Sequence, residues 1–551
     1  MRREKFSNGG LPMKRNVLAL LLALVMTLSL LPVSAMAEVP VITIMIEDHP
    51  LVQDWETNLQ TLKIEEVCGV DLQFEMLPYD KKERLQKIEM MALDNGRDFA
   101  DIVIVNSGDS TYVSTLQTFA EMGLVVDLTE YMNGKTPYLD EGVANTPAIP
   151  LSKEDYVRYL TSPDGHIYCF GKATHSVNNS VSNTRIMLFD PWMQKLGLEY
   201  PTTTEELYNV LVAFRDQDPN GNGKKDEIPL LSYSGSAAGQ LLRNLMNPFI
   251  YTQDHYVMNV DGKLEFVAIQ DAWKEGLAYI KKLVDEGLLS TLSFTQDNAQ
   301  MTALMASEET IVGGISRNSA SNLPASDIRR EQYYIVGALE GPAGLRQHTQ
   351  TPIMPTPEAF ISTNCKDVDA AVRVLDYMGS KEMGNWSRYG IEGVNWVVLD
   401  EPGVGIYESI GYKGDIEEIQ NIWGIEQNTN WAQTAPTVMD GSTITYRTVY
   451  NPKEGNYNHS VPIGASIKRE LDYANTENAV YGMIFTAEEQ EVINEFRSTI
   501  EDAVKEAYTL FVVGERDLEK EWDAYVKSLY DMGLEPYMAA MQSCWDRTLG
   551  K

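Results

Sequence analysis

Between residues 41 and 105 the hydrophobic pattern alternates between two periods, and that alternation restricts the fold more than any other feature of the chain. Val41-Ile42-Thr43-Ile44-Met45-Ile46 is a short apolar, β-branched run and reads as a buried strand. Trp55, Leu59, Leu62 and Val67 follow at helical spacing, and Gly69 stops that helix. Asp71-Leu72-Gln73-Phe74 opens a second strand, Tyr79 through Leu93 a second helix, and Asp101 through Val105 a third strand. Strand, helix, strand, helix, strand demands a parallel sheet with helices on its faces. Ligands of such sheets sit beyond the carboxyl ends of the strands. Asn106, Ser107 and Asp109, at the abrupt end of the third strand, therefore stand where a ligand would be, although the same residues would also serve as a helix cap.

At 551 residues the chain has room for two separate cores, so the expected class is α/β with two lobes. A formal charge of −34, spread along the chain rather than gathered in a tail, argues against nucleic acid or an anionic membrane as partner. Residues 1–37 read as a signal peptide: Lys14-Arg15, an apolar run from Val17 to Leu31, then Ala35-Met36-Ala37 as a cleavage site. Met13 resembles the usual first residue of such a signal, which would make 1–12 a mis-called start. Cys68, Cys169, Cys365 and Cys544 lie far apart, with no Cys-x-x-Cys pair, and read as buried free thiols. None lies near the cleavage site, so lipid attachment there is not encoded.

Further along, Trp273, Leu277, Ile280, Val284 and Leu288 form a helical core stripe. Thr310 through Gly314 reads as a strand whose tip carries Arg317 and Asn318, and Tyr333 through Ala338 as another strand. Thr486 with Glu489 forms a capping box for a long helix that Gly514 stops, and Asp517 starts a last helix.

The run from Asp216 to Glu227 offers carboxylates and amides at alternate positions around Gly221 and Gly223, the supply a hard cation requires. Starting at Asp216 reproduces the EF-hand spacing but spends Lys224 on a ligand position and leaves Asp226 unused. Starting at Asp218 uses Asp218, Asn220, Asn222, the Lys224 carbonyl, Asp226 and Glu227, and keeps both lysine ammonium groups off the ion. The second register is preferred, with an ordinary Asn-Gly turn as the alternative. A helix precedes the loop and Ile228-Pro229-Leu230-Leu231 follows it as a strand entry, so calcium here would be a structural clip.

Residues 189–198 (FDPWMQKLGL), 201–207 (PTTTEEL), 218–229 (DPNGNGKKDEIP), 339–344, 389–393 and 514–522 form a set of stretches that occur together and in this order. Together they resemble the extracellular solute-binding proteins of bacterial carbohydrate ABC importers, in particular the calcium-containing branch with alginate- and oligosaccharide-binding members. It implies a type II periplasmic-binding-protein-like fold of two interleaved lobes, 38–175 with 338–405 and 176–337 with 406–551, hinged about a sugar. It also implies the calcium register starting at Asp218, and a monomer that delivers an oligosaccharide to permease subunits. Matched by motif, the ligand positions fall at Ser107, Asp109, Asn179, Arg317, Asn318 and Trp396. Trp431, an isolated indole in a polar loop, is a further candidate, since sugars need aromatic faces beside polar groups. The missing lipidated cysteine departs from the family pattern and leaves a secreted or cell-surface protein held by other means.

A secreted polysaccharide-active enzyme is the main rival. No G-x-S-x-G turn, H-E-x-x-H helix or phosphate loop is present, and the six histidines show no metal spacing. A surface sensor or adhesion protein on the same lobes is a second alternative.

Overall fold

The computed structural model describes residues 39–550 apart from 146–150, 176–184, 237, 238, 240, 353, 404–406, 421, 423 and 441–456. The signal-peptide reading and Asn179 lie outside the described residues. The opening alternation folds as expected: strands Val41–Glu47, Asp71–Leu77 and Ile102–Ile104 are separated by helices Leu59–Cys68 and Lys81–Leu93. The first strand pairs in parallel with the other two. Asp101 fixes that register, because its carboxylate accepts bonds from both the backbone N–H and the hydroxyl of Thr43, each at 2.8 Å. Three later strands complete a six-stranded sheet ordered Val438–Asp440, Phe170–His175, Thr356–Ile361, Ile102–Ile104, Val41–Glu47, Asp71–Leu77.

A second, smaller sheet places Arg185–Phe189 between Gly314–Arg317 and Tyr333–Val336, antiparallel to both. Its first strand forms later than the 310–314 reading. Thr310 takes a left-handed φ of 47°, and the ladder begins only where Gly314 faces Leu188. Gly313 stays outside the ladder under the Trp192 ring, where a Cβ would stand 2.4 Å from a ring carbon. The core stripe on helix Asp271–Asp285 and the capping box of helix Ala487–Val513 are as read, with Gly514 left-handed at its end. Helix Leu518–Asp531 is not the last, however: Gly533, with φ 99°, breaks the run and helix Leu534–Thr548 follows.

Each sheet has its own hydrophobic core, and no described residue belongs to both. We call them the first and second lobes. The chain passes from the first to the second after Phe170–His175, returns between His348–Thr349 and Thr356–Ile361, and passes over again between Val438–Asp440 and helix Ser460–Leu471. A hairpin of Trp396–Gly403 and Gly414–Glu418 adds a further tie. Its base packs Trp396 and Ile416 with Tyr389, while Tyr407 at its tip belongs to the second core and Ser409 donates to the Gly464 carbonyl at 2.9 Å.

The packing moves two of the lobe limits read from sequence. Leu339 lies in the second core and strand His348–Thr349 pairs with Ala474–Asn475, so the return follows residue 349, not 337. Trp431, Ala435 and Val438 lie in the first core although they follow residue 405. Apolar side chains go where a core can take them, whatever their order in the chain. The four cysteines are buried and free.

Trp431 is not a surface platform. It is fully buried, edge-on to Trp55 and Phe74, and its indole N–H donates to Thr61 Oγ1 at 2.8 Å. Trp431→Ala should therefore destabilise the protein by about 3–5 kcal/mol, the usual cost of emptying a buried aromatic site. Denaturant unfolding measures this; a loss near zero would return the residue to the surface.

Candidate functional site

The carboxyl ends of the first lobe's parallel strands are tied together by one guanidinium. Arg84 is buried, stands 2.5 Å from Glu47, and donates to the carbonyls of Tyr79, Val105 and Asn106 at 2.8, 3.1 and 3.3 Å. These carbonyls end the helix and strand connections, so five donors in a planar fork suit the position better than a lysine would. Asn106 Nδ2 donates to Glu47 Oε2 at 3.3 Å, and the loop that carries Asp109 starts from this anchor. Ser107 is fully buried; its hydroxyl donates to the Pro357 carbonyl at 3.0 Å and pins the loop to the neighbouring strand. Of the two residues read here as ligand contacts, Ser107 thus lies beneath the surface and Asp109 on it.

Asp109, Ser110 and Thr111 form the first-lobe wall of a cavity of about 350 Å³ between the lobes. Arg243, Asp254, His255 and Arg497 line the second-lobe side, with Tyr481 and Gly482 along the boundary. That volume is within the ordinary range of small-ligand sites. Asp109 Oδ1 accepts from the N–H and hydroxyl of Thr111 at 2.9 and 2.8 Å, which fixes the carboxylate at the mouth of helix Tyr112–Glu121.

Two of the facing groups are partnered: Arg243 pairs with Asp254, and His255 Nδ1 is hydrogen-bonded with Glu501 at 2.7 Å. Burial alone would raise the Glu501 carboxyl, but the bond to His255 and the neighbouring charges of Lys505 and Arg497 hold it below its usual range. His255 and Tyr256 both take left-handed backbone, with φ 65° and 56°, which costs about 1–3 kcal/mol each. The buried Tyr256 ring, edge-on to Trp273, holds that turn in place. Sequence reading missed this wall, because a Gln253-Asp254-His255 run has no motif to mark it.

Arg317 and Asn318 lie at the end of their strand, away from these lining residues. Arg317 is half-buried over the Tyr233 ring and bonded to Asn298; its Nε is buried without a partner, and burial lowers its pKa. Asn318 is exposed, and its carbonyl accepts from Arg185 at 3.3 Å. Arg185 is in turn clamped by Glu470 at 3.1 and 3.2 Å inside the second lobe. Trp396 is 6 % exposed and lines a different cavity.

In the loop after helix Thr204–Asp216, Asp216 is held by Arg215 at 2.8 Å and turned away, while Lys224 is drawn out to Glu309 at 2.7 Å. Asp218 has φ 47° and accepts from the N–H groups of Gly221 and Gly223 at 2.9 and 3.1 Å. The amides of Asn220 and Asn222 both donate to Asp226, at 3.1 to 3.2 Å. Glu227 Oε1 is buried with no partner; burial, then the charges of Asp226 and Asp218, push its carboxyl up. Among the described residues no three His, Cys, Asp or Glu side chains are gathered as a metal site.

One acid near the cleft titrates in the neutral range. Glu358, on strand Thr356–Ile361, is fully buried with neither carboxylate oxygen hydrogen-bonded, and Lys172 Nζ is 3.8 Å away. Burial pushes its pKa up to about 7; Lys172 and Arg84 pull it down and Glu47 pushes it further up. A carboxyl whose folded pKa is raised stabilises the fold at low pH and loses that contribution as pH rises through the folded value. Glu358→Gln should therefore gain stability relative to the parent between about pH 5 and about pH 8, by up to about 3 kcal/mol. Denaturation midpoints of both proteins at the two pH values read this out, and parallel pH curves would refute it.

The chain matches the profile of the bacterial extracellular solute-binding proteins over residues 91–385. It is 26% identical over 465 residues to the fructooligosaccharide ABC transporter substrate-binding protein FusA of Streptococcus pneumoniae, covering 78% of each chain. The structure of FusA in complex with kestose gives a TM-score of 0.68 at 22% identity, over 93% of this chain and 99% of that one. A second FusA structure, at the same TM-score, is of an EF-hand mutant. An HMO-binding, ABC-transporter-associated solute-binding protein of Bifidobacterium longum infantis gives 0.74 at 18% identity, over 93% and 99% of the two chains. The fold they share with this chain is the two-lobed α/β fold of type II periplasmic binding proteins.

Proposed function

The chain belongs to the bacterial extracellular solute-binding protein family, and on that premise we propose that it captures an oligosaccharide between its lobes and delivers it to the membrane subunits of an ABC importer. The observation that carries this reading is a cavity walled by both lobes, each with a core of its own. Rotation of one lobe on the other changes that cavity without disturbing either core, as hinge closure requires. Asp109 accepts from sugar hydroxyls, Arg497 donates to sugar oxygens, and the half-buried Tyr481 ring meets the C–H face of a sugar. Arg497 has no hydrogen bond or ion pair among the described residues, which leaves its guanidinium available to a solute. Arg317 and Asn318 retain a role as contacts made on closure. No bond in the solute is broken, and the protein acts as a monomer outside the cell. Among the described residues no helix is long and apolar enough to cross a membrane.

Calorimetry against a glycan panel, with product analysis of every hit, tests the reading. Binding without turnover is expected, and Asp109→Ala or Arg497→Ala should each weaken it about ten- to a hundredfold, the worth of a hydrogen bond to a charged group. Hydrolysis of the bound glycan would reject the receptor reading in favour of an enzyme.

A calcium ion fits the Asp218–Glu227 loop. The partnerless, buried Glu227 oxygen feels the charges of Asp226 and Asp218, and the outward turn of Asp216 and Lys224 favours the register from Asp218. Asp218, Asn220, Asn222, the Lys224 carbonyl, Asp226 and Glu227 would hold it, and the ion would supply only neutralisation and cross-linking of the loop. Chelation should lower the melting temperature, and Asp218→Ala should remove that response. Identical melting curves with and without chelator would strike calcium from the account.

A further inference from the structure

A second cavity stands apart from the one lined by Asp109 and Arg497. It is a groove of about 800 Å³ that shares no lining residue with the interlobe cavity. Helices Lys381–Tyr389 and Pro137–Ala144 form its sides, and the base of the Trp396–Gly403 hairpin closes one end. Two indoles line it. Trp386 is half-buried and Trp396 nearly fully so, and their N–H groups are spent on the carbonyls of Thr429 and Gly390 at 2.8 and 2.9 Å. What these rings offer the groove is therefore their carbon surface alone.

The polar lining is of the kind that holds hydroxyl groups. Asp415 Oδ1 is buried without a hydrogen-bond partner, an expensive state that a donor in the groove would relieve. Asn145 and Asn385 add amides that both donate and accept. Four carboxylates (Glu141, Glu382, Glu392 and Asp415) outnumber the ammonium groups of Lys63 and Lys381, which disfavours an anionic ligand.

We propose that this groove is a second saccharide site, in which a neutral sugar unit lies against Trp386 and Trp396 and donates a hydroxyl to Asp415. The inference rests on the reading of the protein as a saccharide receptor, and it moves Trp396 from the interlobe cleft to a site that the first lobe and the hairpin base build alone. Because the hairpin tip is held by the second lobe, a sugar bound at its base also touches an element that spans both lobes.

The test uses the full secreted chain and short neutral gluco-, galacto-, xylo- and fructo-oligosaccharides, followed by calorimetry and tryptophan fluorescence. Trp386→Leu should weaken binding of the recognised saccharide about tenfold or more, as loss of a stacking ring does. Asp415→Asn, a milder change that keeps the shape, should weaken it too and guards against a misfolded Trp386 variant. Both losses should persist on an Asp109→Ala background. Tetramethylammonium, which would seek the same rings and carboxylates, serves as the competing probe. Saccharide binding that is abolished by Asp109→Ala and indifferent to both groove variants would overturn the groove while leaving the receptor intact. Binding of tetramethylammonium with no groove response to any sugar would also overturn it. Failure of every sugar to bind would remove both proposals.

Discussion

The two hydrophobic cores do not merge, and most of the architecture follows from that separation. Each lobe buries its apolar stripes against its own sheet, so the chain between them has no core to join. The boundary between them carries a cavity walled by both lobes. Had Leu339 or Trp431 packed with the opposite core, the lobes would be welded together and the cavity lost. Instead each goes to the core that its strand or loop already touches.

On the first-lobe side, the site depends on charges set under the strand ends. Arg84 gathers four carbonyls and Glu47 into one cluster, and the Asp109 loop grows from it. A buried guanidinium in that position costs desolvation that its carboxylate and carbonyl partners offset. The second-lobe side is held differently. There a strained His255-Tyr256 turn is locked by an aromatic ring in the core and by a hydrogen bond between His255 Nδ1 and Glu501 on the long helix. One wall is thus rigid through charge, the other through packing.

Much of this was legible in residues alone. Period changes between 41 and 105 gave the parallel strands, because alternating burial leaves a record in the sequence. Thr486 with Glu489 and Gly514 marked both ends of a 27-residue helix through local capping chemistry. The oxygen-rich loop from Asp216 to Glu227 was visible because its oxygens are neighbours in the chain. Trp431 misled, since a polar loop with one indole looks exposed until Trp55 and Phe74, far away in sequence, are seen to cover it. Gly533 hid a final helix for the opposite reason: a single glycine did not announce that the helix ends and another begins.

The sequence by itself determined what depends on near neighbours: strand and helix order, caps, the oxygen-rich loop, the excess of acid, and the family these stretches resemble. Only the tertiary structure decided which lobe takes residues 338–349 and 431–440, that Ser107 is a pin and Asp109 a surface group, and that Asp109 and Arg497 line one cavity. Those outcomes turn on contacts between residues hundreds of positions apart. Such contacts are selected by shape and burial in three dimensions, and no local pattern encodes them.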